Sequence, residues 1–134
     1  MSSTKEKPLI LNKYGDQINK QVFSSHVVGT TFHENAQEII KLLKRVRPSN
    51  IILILTREPD NEHDENAVAI YVTIKGSSRK HKLGYFPMEG SELIAYVLDN
   101  PNEYSIKLGN IRILGGDLSK EFVGLFFDFI IQKH

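Results

Sequence analysis

The sequence contains no cysteine, which excludes disulfide bonds and thiolate metal sites. It also lacks any apolar run long enough to span a bilayer, and residues 1–8 lack the apolar segment of a secretory signal peptide. These absences predict a soluble cytoplasmic protein that has no membrane partner.

The sequence also has no large excess of positive or negative charge. Seventeen lysine and arginine residues face sixteen acidic ones, which leaves a net charge of +1. The overall charge therefore identifies no class of partner, and any nucleic-acid binding must depend on local patches. Two stretches are locally basic, although such clusters are most often solvated surface. They are Lys41, Lys44, Arg45 and Arg47, and then Lys75, Arg79, Lys80, His81 and Lys82.

The length of 134 residues predicts one domain with a substantial core. Residues 1–20 are weakly periodic and predict an N-terminal arm, in which Pro8-Leu9-Ile10-Leu11 is either an edge strand or loosely attached. Residues 21–134 form the predicted domain.

A polar loop lies between two apolar runs in the middle of the chain. Residues 51–55 and 68–74 are rich in β-branched residues, which predicts two buried strands. Pro59 cannot donate to a sheet and Asp60-Asn61 favours a turn, so strand pairing should stop there. The loop at residues 57–68 is therefore held on a rigid support, where recognition residues commonly lie.

Two further strands and two helices are predicted before the C-terminal third of the chain. Residues 22–28 form a strand that ends at Gly29, and residues 36–46 form an amphipathic helix capped by Asn35. A strand at 81–86 places Leu83 and Tyr85 on one face, and a helix after Pro87 ends at Asn100-Pro101.

The C-terminal third predicts two long strands. From Tyr104 the apolar alternation changes phase at Gly109-Asn110, which indicates a bulge. The last strand, at residues 122–131, is apolar on both faces, so both should be covered. Six strands with two helices predict a mainly β fold, either a small curled sheet or a partly open barrel.

Three motifs carry a family resemblance. The loop at residues 57–68, with Val27-Val28-Gly29 before it and Leu83-Gly84-Tyr85-Phe86-Pro87 after it, resembles the HIRAN domain over about residues 25–115. The resemblance implies an OB-like small β-barrel. It also implies capture of a 3′ end of single-stranded DNA in a DNA-repair setting, with a helicase or nuclease chain as the partner that acts on that end.

The resemblance places the implied DNA-binding residues on this chain one by one. Phe32, His63 and Tyr85 would stack on bases, whereas Asn61 and Asp64 would recognise the end. Asp64 would accept a hydrogen bond from a 3′ hydroxyl. The remaining candidates are Lys80 and Lys82, which would contact phosphates.

This sequence departs from the family pattern at several of these positions. His63 stands where end-binding relatives have a tyrosine, and Tyr85 where they have a histidine. Thr31 replaces a phosphate-binding arginine, and Pro87-Met88 replaces lysines. Lys82, Lys80 or Arg79, from the adjacent strand, could compensate for the missing cations.

Purely structural roles compete with these assignments. A phenylalanine such as Phe32 is more often buried in a core than exposed as a platform. Asp64 and Asn66 could bond backbone amides to hold the loop. Arg57 and Glu58 could form an ion pair at the sheet edge.

Two other functions compete with DNA binding. The acidic loop residues Asp60, Glu62, Asp64 and Glu65 with His63 could bind a divalent metal and support a metal-dependent phosphodiesterase, although their spacing matches no known metal motif. A protein-interaction module of the same fold fits the nearly neutral charge. Because the sequence has no nucleophile motif or phosphate-binding glycine loop, we expect neither an enzyme nor a cofactor.

Overall fold

The computed structural model describes residues 18, 21–33, 35–116 and 122–134. The described elements are β1 (Phe23–His26), α1 (Ala36–Leu43), a 3₁₀ turn (Pro48–Asn50), β2 (Ile51–Arg57), β3 (Val68–Ile74), β4 (His81–Tyr85), α2 (Met88–Asp99), β5 (Tyr104–Gly115) and β6 (Val123–Lys133). The predicted mainly β fold with six strands and two helices is confirmed. The predicted edge strand at residues 8–11 lies outside the described residues, whereas Ile18 is buried in the core.

The strands form two antiparallel sheets of three strands each. One sheet has the order β1-β6-β5 and the other the order β2-β3-β4. Pairing of β2 with β3 ends at Arg57 and Val68, the two end residues of the polar loop, as the sequence predicts. Val68, Ile70 and Val72 alternate toward the core and are at most 2% exposed.

The two sheets are joined where Val28 meets Tyr85. These residues exchange two backbone hydrogen bonds of 2.9 Å each, just beyond the end of β1. Gly84 permits this approach, because a Cβ atom there would lie 2.1 Å from the carbonyl oxygen of Val28. Gly29 then turns the chain away with φ +78°, a conformation that glycine adopts without strain. Two of the three family motifs therefore meet at this bridge.

A bulge in β4 changes which side chains share a face. Gly84 pairs with Ile70 and Lys82 with Tyr71, so Leu83 is an extra residue on this strand. Leu83 and Gly84 are both buried, whereas Lys82 and Tyr85 project together from the other side of the sheet. The predicted shared face of Leu83 and Tyr85 is therefore wrong, because a bulge breaks the alternation of side chains.

Strand β6 is central to the core. Its inward residues are buried, and Phe127 and Leu125 are fully so; the complete set is Val123, Leu125, Phe127, Phe129 and Ile131. The opposite face is not covered as predicted, since Phe126 and Ile130 are only partly buried and the preceding Phe122 is 60% exposed. Its other side can remain partly solvated because antiparallel sheets tolerate one wet face.

Two local predictions about the remaining elements have different outcomes. The bulge in β5 is confirmed, since the register with β6 shifts between Gly109 and Arg112. Asn35 precedes α1 but makes no side-chain capping bond, because its backbone is left-handed with φ 67°. The predicted side-chain cap is therefore wrong. Neither described helix is long and apolar enough to cross a bilayer.

Candidate nucleic-acid interface

The central loop is held by Asn61. Its side-chain oxygen accepts hydrogen bonds from the backbone nitrogens of His63 and Asp64, at 2.9 and 3.2 Å. Its own backbone nitrogen donates to the carbonyl of Glu58 at 3.0 Å. Such bonding is the usual behaviour of asparagine in a turn. Asn61 thus fixes the backbone on which His63 and Asp64 are carried.

Arg57 closes the base of the same loop. Its guanidinium donates to the carbonyl oxygens of Ala67 and Glu65 and pairs with Asp99 at 3.0 Å, at the end of α2. The predicted ion pair with Glu58 is wrong, because both side chains are engaged elsewhere. Arg57 therefore anchors the loop to the helix instead of facing a ligand.

The Asp64 carboxylate connects the loop to the start of α2. One oxygen accepts a hydrogen bond from the backbone nitrogen of Asn66 at 2.8 Å, and the other accepts one from the hydroxyl of Ser91 at 2.9 Å. A carboxylate has about four acceptor sites, so two bonds leave capacity for another donor. The side chain is structurally engaged and still able to accept from a ligand.

A pocket of about 230 Å³ opens beside this carboxylate. Ligand sites for drug-sized molecules measure roughly 300–1,000 Å³, so this pocket suits a group no larger than a single base. Four of the seven predicted site residues line it, together with apolar side chains. The lining is Val28, Asn61, His63, Asp64, Ala67, Tyr85, Phe86 and Met88.

The ring of Tyr85 is fixed by charged neighbours. Its hydroxyl donates to Glu58 Oε1 at 2.8 Å and accepts from Lys82 Nζ at 2.8 Å. Lys82 Nζ also lies 2.6 Å from Glu58 Oε2 and 4.6 Å from the centre of the Tyr85 ring. Lys82, predicted to contact phosphate, is therefore already paired with a carboxylate.

This network shifts the ionisation of both charged members. Burial acts to raise the pKa of the Glu58 carboxyl, but hydrogen bonds from Lys82, Tyr85 and Asn61 outweigh it and lower that pKa. Burial likewise acts to lower the pKa of Lys82, whereas its bonds to Glu58 and Tyr85 raise it overall. Both groups are therefore held in their charged forms.

Phe32 is not part of the core. Its side chain is 89% exposed on the turn after Gly29, which removes the structural alternative for this residue. It does not line the pocket. The turn that carries Phe32 is connected to the pocket through the adjacent residue His33. The His33 ring lies 5.5 Å from the Tyr85 ring, and its Nδ1 lies 2.9 Å from the Gly29 carbonyl oxygen. Phe32 is thus next in sequence to a residue that contacts the pocket wall.

Lys80 lies away from the pocket, on the outer side of the β2-β3-β4 sheet. Its ammonium group is 5.0 Å from the centre of the Tyr71 ring. Lys80 is exposed, and none of the described carboxylates pairs with it. Of the two predicted phosphate contacts, Lys80 is therefore the one whose charge remains available.

The metal candidate finds no support in the geometry. Among the described residues, which include all five acidic and histidine candidates of the loop, no three such side chains come close enough to hold an ion.

Sequence reasoning missed three contributors to the site. His33 packs on Tyr85, Ser91 orients Asp64, and Glu58 fixes Tyr85. Of the three, only His33 could have been suspected from the local sequence, because it is adjacent to the predicted site residue Phe32. Ser91 and Glu58 act through contacts with residues 27 positions away in the chain, which no local pattern shows.

Comparison with known protein families matches residues 20–108 to the HIRAN domain. The match contains all three motifs and ends inside β5, so β6 lies beyond it. No curated protein and no solved structure matches the chain. The OB-like fold of that family agrees with the two small sheets observed.

Proposed function

Because the chain belongs to the HIRAN domain family, whose members are nucleic-acid-binding modules, we propose that it binds single-stranded DNA by its 3′ end and catalyses no reaction. The observation that supports this proposal is the single pocket that His63, Asp64 and Tyr85 line together. Single-strand sites commonly combine aromatic faces with hydrogen-bonding groups along a groove. The captured end would be acted on by a helicase or nuclease in another chain, in the cytoplasm.

Base stacking would supply most of the binding free energy. His63 is exposed, Tyr85 is half-buried and fixed through its hydroxyl, and Phe32 is almost fully exposed nearby. Each base stacked on an aromatic side chain contributes about 1–3 kcal/mol. A terminal base in the pocket would contact His63 and Tyr85, and the next base would reach Phe32.

Asp64 would provide the preference for a free end. The remaining acceptor capacity of its carboxylate suits the proton of a 3′ hydroxyl. A 3′ phosphate offers no comparable donor when it is ionised, and its negative charge would repel the carboxylate. Because Ser91 and Asn66 hold Asp64 in place, little conformational freedom is lost on binding.

Few phosphates would be contacted directly. The apolar side chain of Met88 forms part of the pocket wall, and the positive charge of Lys82 is already paired with the carboxylate of Glu58. Each neutralised phosphate of a single strand adds about −0.7 to the slope of log K against log salt. We therefore expect a shallow slope, equivalent to one or two phosphates.

The test is fluorescence anisotropy with three short labelled DNAs at two salt concentrations. They are a single strand with a 3′ hydroxyl, the same strand with a 3′ phosphate, and a blunt duplex. We expect the free 3′ hydroxyl strand to bind at least about tenfold more tightly than the other two, since one charge-assisted hydrogen bond contributes about 1.5–3 kcal/mol.

Two variants separate end recognition from general charge. Asp64→Ala should abolish the preference for the free end, whereas Asp60→Ala, which removes an exposed acidic residue of the same loop, should retain it. Equal, weak binding of all three DNAs by the unmodified protein, with a steep salt dependence, would disprove end recognition. The search would then turn to a protein partner.

A further inference from the structure

We propose that the outer face of the β2-β3-β4 sheet, centred on Tyr71 and Lys80, is a second binding surface for single-stranded nucleic acid. It would take the nucleotides that precede the captured end. The inference rests on the proposed function, but it concerns residues outside the pocket and makes separate predictions.

The β4 bulge places this face in line with the pocket. Tyr85 pairs across the sheet with Ala69, and Lys82 pairs with Tyr71, so all four side chains project from the same side. Ala69 and Tyr71 are two positions apart on β3, which is about 7 Å along an antiparallel strand. Stacked nucleotides rise about 3.4 Å each, so Tyr71 lies about two nucleotides beyond Tyr85.

Two aromatic rings on this face each carry a lysine. Lys82 Nζ lies 4.6 Å from the Tyr85 ring centre, and Lys80 Nζ lies 5.0 Å from the Tyr71 ring centre. The two lysines differ in their ion pairing. Glu58 pairs with Lys82, whereas none of the described carboxylates pairs with Lys80. Lys80 is therefore the cation that can move from the ring to a phosphate and expose Tyr71 for stacking.

The surroundings of Tyr71 are unusually apolar for a solvated face. An antiparallel sheet with one wet side normally places polar residues on that side. Here β2 presents Ile52, which is 42% exposed, and Ile54, which lies directly across from Tyr71. An apolar wall beside a half-buried tyrosine suits the flat surface of a base more than it suits water.

The experiment is a pair of NMR titrations of isotope-labelled protein with DNA of two and eight nucleotides, both with a 3′ hydroxyl. In the unmodified protein, the amides around His63 and Asp64 should shift with both DNAs. The amides of Tyr71 and Lys80 should shift only with the longer one. Tyr71→Ala should weaken binding of the eight-nucleotide DNA about 5- to 20-fold and leave the dinucleotide affinity unchanged, because one stacked base is lost.

Conservative and neighbouring variants serve as controls. Tyr71→Phe keeps the ring and should retain the affinity for the longer DNA. Lys80→Ala should reduce the salt slope for the longer DNA by about 0.7, whereas Lys75→Ala, in the same basic stretch, should not change it.

Four results would overturn the inference. If Tyr71→Ala weakens both DNAs equally, the residue acts through the fold and not through a second surface. If it weakens neither, this face does not bind nucleic acid, and a protein partner becomes the alternative ligand for it. If the unmodified protein binds neither DNA, the proposed function fails together with this extension, whereas pocket shifts without shifts at Tyr71 would refute the extension alone.

Discussion

Val28 and Tyr85 exchange two backbone hydrogen bonds of 2.9 Å at the point where the two sheets meet. The turn that carries Phe32 follows Val28, and Tyr85 forms a wall of the pocket. The backbone bridge, together with the contact between the His33 and Tyr85 rings, therefore fixes the turn that carries Phe32 relative to the pocket. It depends on Gly84, since any side chain there would strike the Val28 carbonyl oxygen.

Gly84→Ala should accordingly destabilise the protein. The added Cβ would lie 2.1 Å from the Val28 oxygen, so the sheets must separate locally. Overpacking of this kind costs about 1–3 kcal/mol, measurable by urea denaturation. Gly109→Ala is the matched control, because no atom lies within 4 Å of the added Cβ. Equal loss of stability in both variants would show that the contact with Val28 is not the cause.

Glu58→Gln should make the protein less sensitive to acid. The pKa of Glu58 is lowered in the folded protein, so its contribution is present above the usual pKa of 4.5 and is lost as pH falls through the folded-state pKa. The variant lacks this contribution at neutral pH. Its free energy of unfolding should therefore fall less between pH 6 and pH 3 than that of the unmodified protein.

Chemical denaturation at several pH values gives this comparison directly. Identical slopes of stability against pH for the two proteins would refute the role assigned to the Glu58 carboxylate. Lys82 supplies the opposite check, because its pKa is raised and its contribution should be lost only in strongly alkaline solution.

Asn35→Gly should leave the stability unchanged or raise it by up to about 1 kcal/mol, since glycine adopts a positive φ without strain. Asn35→Ala should lower it by about 1 kcal/mol, because alanine is strained in that conformation. If the side chain did cap α1, both variants would be less stable. Asn110→Gly is the contrasting control: Asn110 also has a positive φ, but its amide bonds Asp128 at 2.7 Å, so this variant should lose stability.

Phe32→Ala should not change the thermal stability by more than the equivalent of about 0.5 kcal/mol, because the ring is almost fully exposed. Phe127→Ala, at a fully buried position, should cost about 3–5 kcal/mol. Calorimetry or a thermal shift assay compares the two. A large loss in Phe32→Ala would contradict its placement on the surface and its role as a stacking platform.

Much of the fold could be predicted because local patterns determine it. The alternation of Val68, Ile70 and Val72 predicts β3, and the phase change at Gly109 predicts the bulge in β5. The second bulge, at Leu83, was missed because residues 81–86 give no change of phase in their apolar pattern. Register against β3 determines it, and register is not visible in one strand alone.

The candidate site could be predicted only in part. The resemblance gave Asn61, His63, Asp64 and Tyr85, which the structure brings together around one pocket. The ion-pair partners were not predictable in this way. Arg57 pairs with Asp99, and Glu58 pairs with Lys82. The partners lie far apart in the sequence, and only folding brings them together. The exposure of Phe32 likewise follows from the turn at Gly29 and not from its own residue type.

The pairing of β1 with β6 has a consequence for synthesis on the ribosome. Phe23 faces Phe129, so β1 must wait for more than a hundred further residues before its partner strand is made. At about 5–20 residues per second, that interval lasts roughly 5–20 seconds. The β2-β3-β4 sheet, whose strands are neighbours in the chain, can form earlier. The strand that completes the core is therefore the last to be synthesised, and in a chain stalled on the ribosome before residue 123 β1 would have no partner strand.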